Sequence, residues 1–237
     1  MSRKRLAVIP ARGGSKRIPD KNIRIFGCQP MIAHILETAR NSELFDVIHV
    51  TTESPRIASV VNELGFETHF PRPPELADDN TPLMPVLRYV TEAFLQRGQR
   101  FDEVWLLMPC AALIETEDLC AGAQLLADTN FSKAVLAVAP YPAPIEWAFD
   151  RADNGSLIPL SPGKFAVRSQ DLTPKFYDAG AFCAFPAGRV LESRGAGEDT
   201  VFVGYILPRH KAIDIDTEDD WQLAEILFAG AMDLAPS

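Results

Sequence analysis

Six short apolar runs recur along the chain: Leu6 to Ile9, Val47 to Val50, Val104 to Met108, Ala134 to Ala139, Ala181 to Phe185 and Val201 to Leu207. Each has the length of a strand buried on both faces, where the side chains on either side of the pleat meet apolar neighbours. Between several of them the period becomes helical. Ser54 stands as the cap of a helix that starts at Pro55, carries Ile57, Ala58, Val60, Val61 and Leu64 on one stripe, and stops at Gly65. A second helix runs from Thr81-Pro82 to Gly98, with Pro85 inside its first turn. A third starts near Thr116, and a fourth at Thr217, where Asp220 resembles a capping box with Asp in place of Glu. Strands alternating with helices predict an α/β fold, a mostly parallel sheet flanked by helices.

From Pro140 to Pro174 this rhythm stops. Pro140, Pro142, Pro144, Pro159, Pro162 and Pro174, with Asn154-Gly155 and Pro162-Gly163 turns, predict a small β-rich arm at about 140–175. The arm is too short for a core of its own, so residues 1–237 are expected to form one domain. The tail past Met232 is expected to fray.

Composition narrows the function. The 237 residues are 47% hydrophobic and 23% charged, as in an ordinary soluble globular protein. No apolar run reaches the roughly 18 residues of a membrane span, and the basic start Met1 to Arg5 lacks the apolar stretch of a secretory signal. The expected location is the cytoplasm, with no membrane partner. Cys28, Cys110, Cys120 and Cys183 form no CxxC pair and read as reduced packing residues. His34, His49, His69 and His210 form no HExxH motif, and no GxSxG elbow occurs. Zinc and serine hydrolase chemistries therefore lose support.

Charge is uneven. The formal net charge is −9, yet residues 1 to 25 hold eight Lys or Arg against the single acid Asp20, a local +7 that leaves −16 for the remainder. That pattern suits a local anion site better than nucleic acid, which calls for a broad basic face. The loop after the first strand reads Arg12-Gly13-Gly14-Ser15-Lys16, where glycines let the backbone approach a phosphate. It matches neither GxxxxGK[ST] nor GxGxxG, and a basic solvated turn is the competing reading. Far along the chain, Asp214 and Asp216 flank Ile215 in "IDIDTEDDW", so in an extended segment both carboxylates share a face. Such a pair suits a hard cation such as Mg²⁺ in the company of phosphates, although Asp216 or Thr217 could instead cap the next helix. A cationic glycine loop and paired carboxylates together make the two halves of a nucleoside triphosphate site.

At these residues the chain resembles the acylneuraminate cytidylyltransferases, which activate nine-carbon 2-keto acids as CMP-sugars. The resemblance lies in "IPARGGSKRIPDKNI", "RPPELADDNTP", "DLTPKFYDAGAF" and "AIDIDTEDDW". It implies a nucleotidyltransferase-like (Rossmann-like) fold that binds CTP at the C-terminal edge of the sheet. It also implies a homodimer whose protruding arm reaches the partner's sugar site. The sugar's anomeric 2-hydroxyl would attack the α-phosphorus of CTP, and pyrophosphate would leave. By the same resemblance Ala11, Arg12, Gly13, Gly14, Ser15, Lys16, Lys21, Asn22 and Arg72 form the nucleotide site. Arg12, Lys21, Asp214 and Asp216 carry catalysis, with Asp214 and Asp216 holding Mg²⁺ or Mn²⁺. Arg168, Gln170, Asp178 and Gly180 would meet the sugar acid.

Two features bear on the sugar. Asp178-Ala179-Gly180 resembles the branch of the family that acts on pseudaminic acid, with legionaminic and N-acetylneuraminic acids as alternatives. Met108 to Ile114 depart from the family pattern of amide, hydroxyl and arginine donors, which implies a more apolar wall. Glu53 stands where Asp is usual. An inactive nucleotide-binding paralogue is the alternative of another class, and retention of Arg12, Lys21, Asp214 and Asp216 speaks against it.

Overall fold

A computed structural model describes residues 3–197 and 202–234. Six strands form one sheet: β1 (Arg5–Pro10), β4 (Val47–Thr51), β5 (Glu103–Leu107), β6 (Ala134–Pro140), β9 (Phe176–Pro186) and β10 (Phe202–Ile206), in the order β10-β6-β9-β5-β1-β4. β2 (Ile25–Phe26) and β3 (Gln29–Pro30) make a minimal hairpin after the opening loop. β7 (Phe149–Arg151) and β8 (Leu157–Pro159) make another within the arm. The helices are α1 (Met31–Asn41), α2 (Pro55–Glu63), α3 (Leu83–Gln96), α4 (Thr116–Asp128), α5 (Ala187–Glu192) and α6 (Glu218–Leu234). Val201, expected to open the last strand, and the final residues 235–237 of the tail lie outside the described residues. The helix continues past Met232 to Leu234.

Five strands run one way, as expected for a mostly parallel sheet, and β9 runs against them between β5 and β6. The arm explains the reversal. It leaves β6 and brings the chain back at the same edge of the sheet, so the next strand must return antiparallel.

The pleat sorts the core into two layers. On β1, Ala7 and Ile9 pack with residues of α1, α2 and α4, while Leu6 and Val8 pack with residues of α3 and α5. A third cluster, Ile18, Phe26, Met31, Ile215, Trp221 and Ala224, joins the opening loop to the last helix. Fully burying a side chain of this size contributes about 1.5–3 kcal/mol. This cluster is what draws the two ends of the chain together.

Helix ends follow the sequence signals. Ser54 Oγ accepts the Ile57 N–H at 3.4 Å to start α2, and Gly65 beyond its end has φ +78. Thr217 and Asp220 form a reciprocal cap on α6: Asp220 Oδ2 accepts the Thr217 N–H at 2.8 Å and Thr217 Oγ1 accepts the Asp220 N–H at 3.2 Å. One expectation is corrected. Cys28 and Cys120 are exposed, so only Cys110 and Cys183 pack. His49 and His69, distant in sequence, meet with their Nδ1 atoms 3.3 Å apart because Phe70 and Phe94 bury His49 under the loop that leads to Arg72. Among the described residues no helix is long and apolar enough to cross a membrane.

Candidate active site

The loop after β1 and the chain after β5 open a cleft at the C-terminal edge of the sheet, where chain connections diverge in open α/β folds. The cleft holds about 270 Å³ and is lined by Arg12, Ser15, Lys16, Lys21, Asn22, Arg72, Gly180, Asp214 and Asp216 from the expected set. Arg17, Asp78, Asp79, Thr81, Met108 and Cys110 line it as well. Residues from both ends of the sequence thus share one cavity.

The opening loop is held from beneath. The Ala11 N–H donates to Thr51 O at 3.0 Å, and the buried Asn22 donates from Nδ2 to Arg12 O at 3.1 Å. Asn22, expected in the nucleotide site, lines the cleft with its amide engaged in shaping the loop. The Gly13 N–H, expected to await a phosphate, donates to Glu53 Oε1 at 2.7 Å. A Cβ on Gly13 would come within 3.0 Å of the Ser54 Cβ, so glycine permits that approach; Gly14 has open space around it.

The loop is joined to the far end of the chain by charge. Lys21 Nζ donates to Ile215 O at 2.5 Å and lies 3.6 Å from Asp216 Oδ1, while Arg17 Nη2 lies 2.9 Å from Asp216 Oδ2. Because Thr217 and Asp220 cap α6, the carboxylates of Asp214 and Asp216 are left to the cleft. Burial, then the neighbouring Asp216, raises the Asp214 carboxyl above its ordinary range, and Lys21 opposes that rise. Gly180 sits where β9 departs from regular pairing with β6, at φ +61. A Cβ there would lie 3.3 Å from the Asp214 Cγ, so the bare Cα gives that carboxylate its room.

Arg72 is buried, and its Nη2 donates to Thr51 O at 2.6 Å and its Nε to Thr51 Oγ1 at 3.3 Å. Burial first, then Arg12, pushes its pKa down to about 10 against the support of Glu53, so it stays cationic at neutral pH. Cys110 carries a thiol pushed up to about 11 by burial and donates to Asn22 Oδ1 at 3.8 Å.

The expected sugar residues are scattered. Arg168 and Gln170 lie on an exposed turn of the arm and do not line the cleft; Arg168 Nε pairs with Asp171 Oδ2 at 2.9 Å. Asp178 is exposed at the start of β9, where its Oδ1 accepts the Gly180 N–H at 2.9 Å. Sequence reasoning singled out Glu53 without its bond to the Gly13 N–H, and did not place Asp79 or Arg17 in the cleft. Asp79 and Arg17 were visible as charges, but nothing in the sequence showed which opposite charge each would face.

A cleft lined by Arg12, Lys16, Arg17, Lys21 and Arg72 together with Asp78, Asp79, Asp214 and Asp216 can hold a polyphosphate with a divalent ion. The family model described as cytidylyltransferase matches residues 6–93, the stretch that contains the opening loop and Arg72. The pseudaminic acid cytidylyltransferase of Campylobacter jejuni is 34% identical over 95% of this chain and 96% of its own length. The chain belongs to the cytidylyltransferase family. As a cytidylyltransferase it is also 30% identical to the CMP-N,N'-diacetyllegionaminic acid synthase of Legionella pneumophila, over 94% of this chain and 95% of that protein. Among solved structures, a CMP:2-keto-3-deoxy-manno-octonic acid synthetase complexed with CTP superposes with a TM-score of 0.68 at 17% identity, covering 96% of this chain and 99% of that one. At that identity the likeness speaks for the fold alone, a nucleotidyltransferase fold shared with 4-diphosphocytidyl-2C-methyl-D-erythritol synthase at a TM-score of 0.66. This cytidylyltransferase is therefore a nucleotidyltransferase enzyme.

Proposed function

We propose that the enzyme transfers CMP from CTP to the anomeric 2-hydroxyl of a nine-carbon 2-keto sugar acid, pseudaminic acid by preference, releasing pyrophosphate in the cytoplasm. The observation that carries this reading is the meeting of Arg12, Lys16 and Lys21 with Asp214 and Asp216 around one cleft. Arg12, Lys16 and Lys21 would neutralise the triphosphate, lowering the charge that repels an incoming oxygen. Arg72, fixed by Thr51, would present its remaining terminal nitrogen to the cytosine. Asp214 and Asp216 are hard oxygen donors free of capping duty, which fits a Mg²⁺ or Mn²⁺ shared with substrate phosphates. When bound, such an ion supplies Lewis-acid polarisation of the α-phosphate. The acceptor hydroxyl loses its proton to solvent as its oxygen bonds the α-phosphorus and the bond to the pyrophosphate oxygen breaks.

The arm supports a homodimer. Leu157, Ile158, Leu160 and Phe165 are exposed there by 60%, 54%, 57% and 65%. Clustered apolar exposure of this kind favours burial against another surface. A second copy would cover these side chains and bring Arg168 and Gln170 of one arm to the sugar side of the other copy's cleft. A guanidinium there suits a sugar carboxylate.

The preference for pseudaminic acid draws on Asp178-Ala179-Gly180 and on the 34% identity to the Campylobacter jejuni protein; the 30% identity to the Legionella pneumophila protein favours legionaminic acid as the second reading. Pyrophosphate release is measured with CTP, Mg²⁺ and each of pseudaminic, legionaminic and N-acetylneuraminic acids. We expect the highest kcat/KM with pseudaminic acid. A higher value for another acid would overturn the sugar preference, and no release with any would overturn the reaction. Asp214→Ala and Asp216→Ala are each expected to lower kcat by about 10²- to 10³-fold; unchanged turnover would remove both residues from the metal site.

A further inference from the structure

Every cation of the opening loop faces a carboxylate. Arg17 and Lys21 face Asp216 and Arg24 faces Glu218, all at the far end of the chain. Arg12 and Lys16 differ, because both turn to the same residue, Asp79. Its Oδ1 lies 2.5 Å from Arg12 Nη1, and its Oδ2 contacts Lys16 Nζ. Arg12 Nη1 also donates to Asp78 O at 3.3 Å. All four residues line the cleft.

The turn that carries Asp79 is built to present it. Asp78 Oδ1 accepts the Asn80 N–H at 2.9 Å and the Thr81 N–H at 2.6 Å, and Thr81 Oγ1 donates to Glu75 O at 3.3 Å. These bonds consume the Asp78 carboxylate within the turn and leave that of Asp79 facing outward. Lys16, then Arg12, holds the Asp79 carboxyl below its ordinary range, so it is anionic at neutral pH. A carboxylate with one oxygen on each of two cations has the charge and the spread of acceptors of two phosphate oxygens.

We infer that Asp79 is an internal stand-in for the triphosphate, holding Arg12 and Lys16 in the empty enzyme until a nucleotide displaces it. The inference rests on the reading of the cleft as a nucleotide site. Asp79 is then a positioning and discriminating residue. A ligand gains both cations fully only by spanning them with several charged groups, which a triphosphate does; a single phosphate, at most a dianion, competes with the bridging carboxylate far less well. Once displaced, Asp79 is repelled by the bound phosphates, and the 77–81 turn moves away from the loop. A pure scaffold role, in which Asp79 merely keeps Arg12 extended, has the opposite sign. Its removal would weaken polyphosphate binding.

The test measures binding of tripolyphosphate, CTP and CMP by calorimetry at constant Mg²⁺ and ionic strength, for the full-length wild type, Asp79→Asn and Asp79→Ala. The carboxylate is partly exposed, and exposed pairs of this kind are weak, so the expected gain is about three- to tenfold in affinity for tripolyphosphate and CTP. CMP affinity is expected to stay within about twofold, and the KM for CTP to fall while that for the sugar acid holds. Equal or weaker tripolyphosphate binding in both variants, with wild type still binding CTP, would overturn the inference and leave the nucleotide reading standing. The same gain for CMP as for CTP would also overturn it, since that would reflect general charge removal. If no form of the chain bound CTP, the nucleotide reading would fall, and the inference with it.

Discussion

The cleft and the arm meet the same edge of one sheet but are held in different ways. Around the cleft, side chains from opposite ends of the sequence engage one another, with Lys21 on Ile215 and Asp216, and a buried cluster around Trp221 beneath them. On the arm, Arg168 pairs only with its neighbour Asp171, and large apolar side chains stand in solvent. The cationic and acidic walls of the cleft come from the same chain. The arm leaves Leu157, Ile158, Leu160 and Phe165 exposed, the surface on which the proposed homodimer rests.

Acid gives the largest contrast. Burial first, then His69, Arg72 and Arg97, push His49 down to about 3 from an ordinary value near 6.5. Between those values the unfolded chain takes up a proton that the folded chain refuses, so stability is full above about pH 6.5 and is lost as the pH falls toward about 3. The loss amounts to up to about 5 kcal/mol. Denaturant melts from pH 7.5 to 4 measure it, and His49→Leu should flatten the slope. An unchanged slope would show that His49 is not the acid-sensitive group. The arm contains no histidine, so its proteolytic exposure should not follow this titration.

Matched glycines sharpen the comparison next. Gly180 and Gly163 both have positive φ, +61 and +81, but a Cβ on Gly180 meets Asp214 whereas one on Gly163 meets nothing within 4 Å. Gly180→Ala and Gly163→Ala should each cost about 1–2 kcal/mol of stability from backbone strain. Only Gly180→Ala should also lower kcat, by about tenfold, because it displaces the Asp214 carboxylate, which we propose holds the metal. Equal kcat in the two variants would separate Asp214 from the chemistry.

Arg168→Ala should have the smallest effect on stability, within about 0.5 kcal/mol, since its pair is exposed and local. We expect the KM for the sugar acid to rise about tenfold while that for CTP holds. Mixing Arg168→Ala with Asp214→Ala decides whose cleft the arm serves. Exchange of subunits should restore sugar affinity at one cleft in each mixed pair, and the absence of rescue would assign the arm to its own chain.

Much of the sheet was legible because buried strands leave continuous apolar runs, and α2 because Ser54, Pro55 and Gly65 mark its ends. α1 was not legible. Pro30 precedes it without a side-chain cap, and Met31 to Leu36 are all buried, so no stripe stands out. The direction of β9 was hidden because it follows from where the arm returns the chain. The cations and the Asp214-Asp216 pair were legible as an excess and a spacing, and they do share a cleft. Asp79 was not, since an acid that will face two cations across a cavity reads like any solvated surface acid.

The bond from Lys21 to Ile215 spans 194 positions. At the usual pace of synthesis the partner of that lysine emerges roughly 10 to 40 s after it. During that interval Lys21 and Arg17 lack the Asp216 that faces them in the folded chain, although Asp79, the partner of Arg12 and Lys16, is already made. If the cleft is the nucleotide site, CTP should stabilise chains that extend past Asp216 and leave shorter nascent ones untouched.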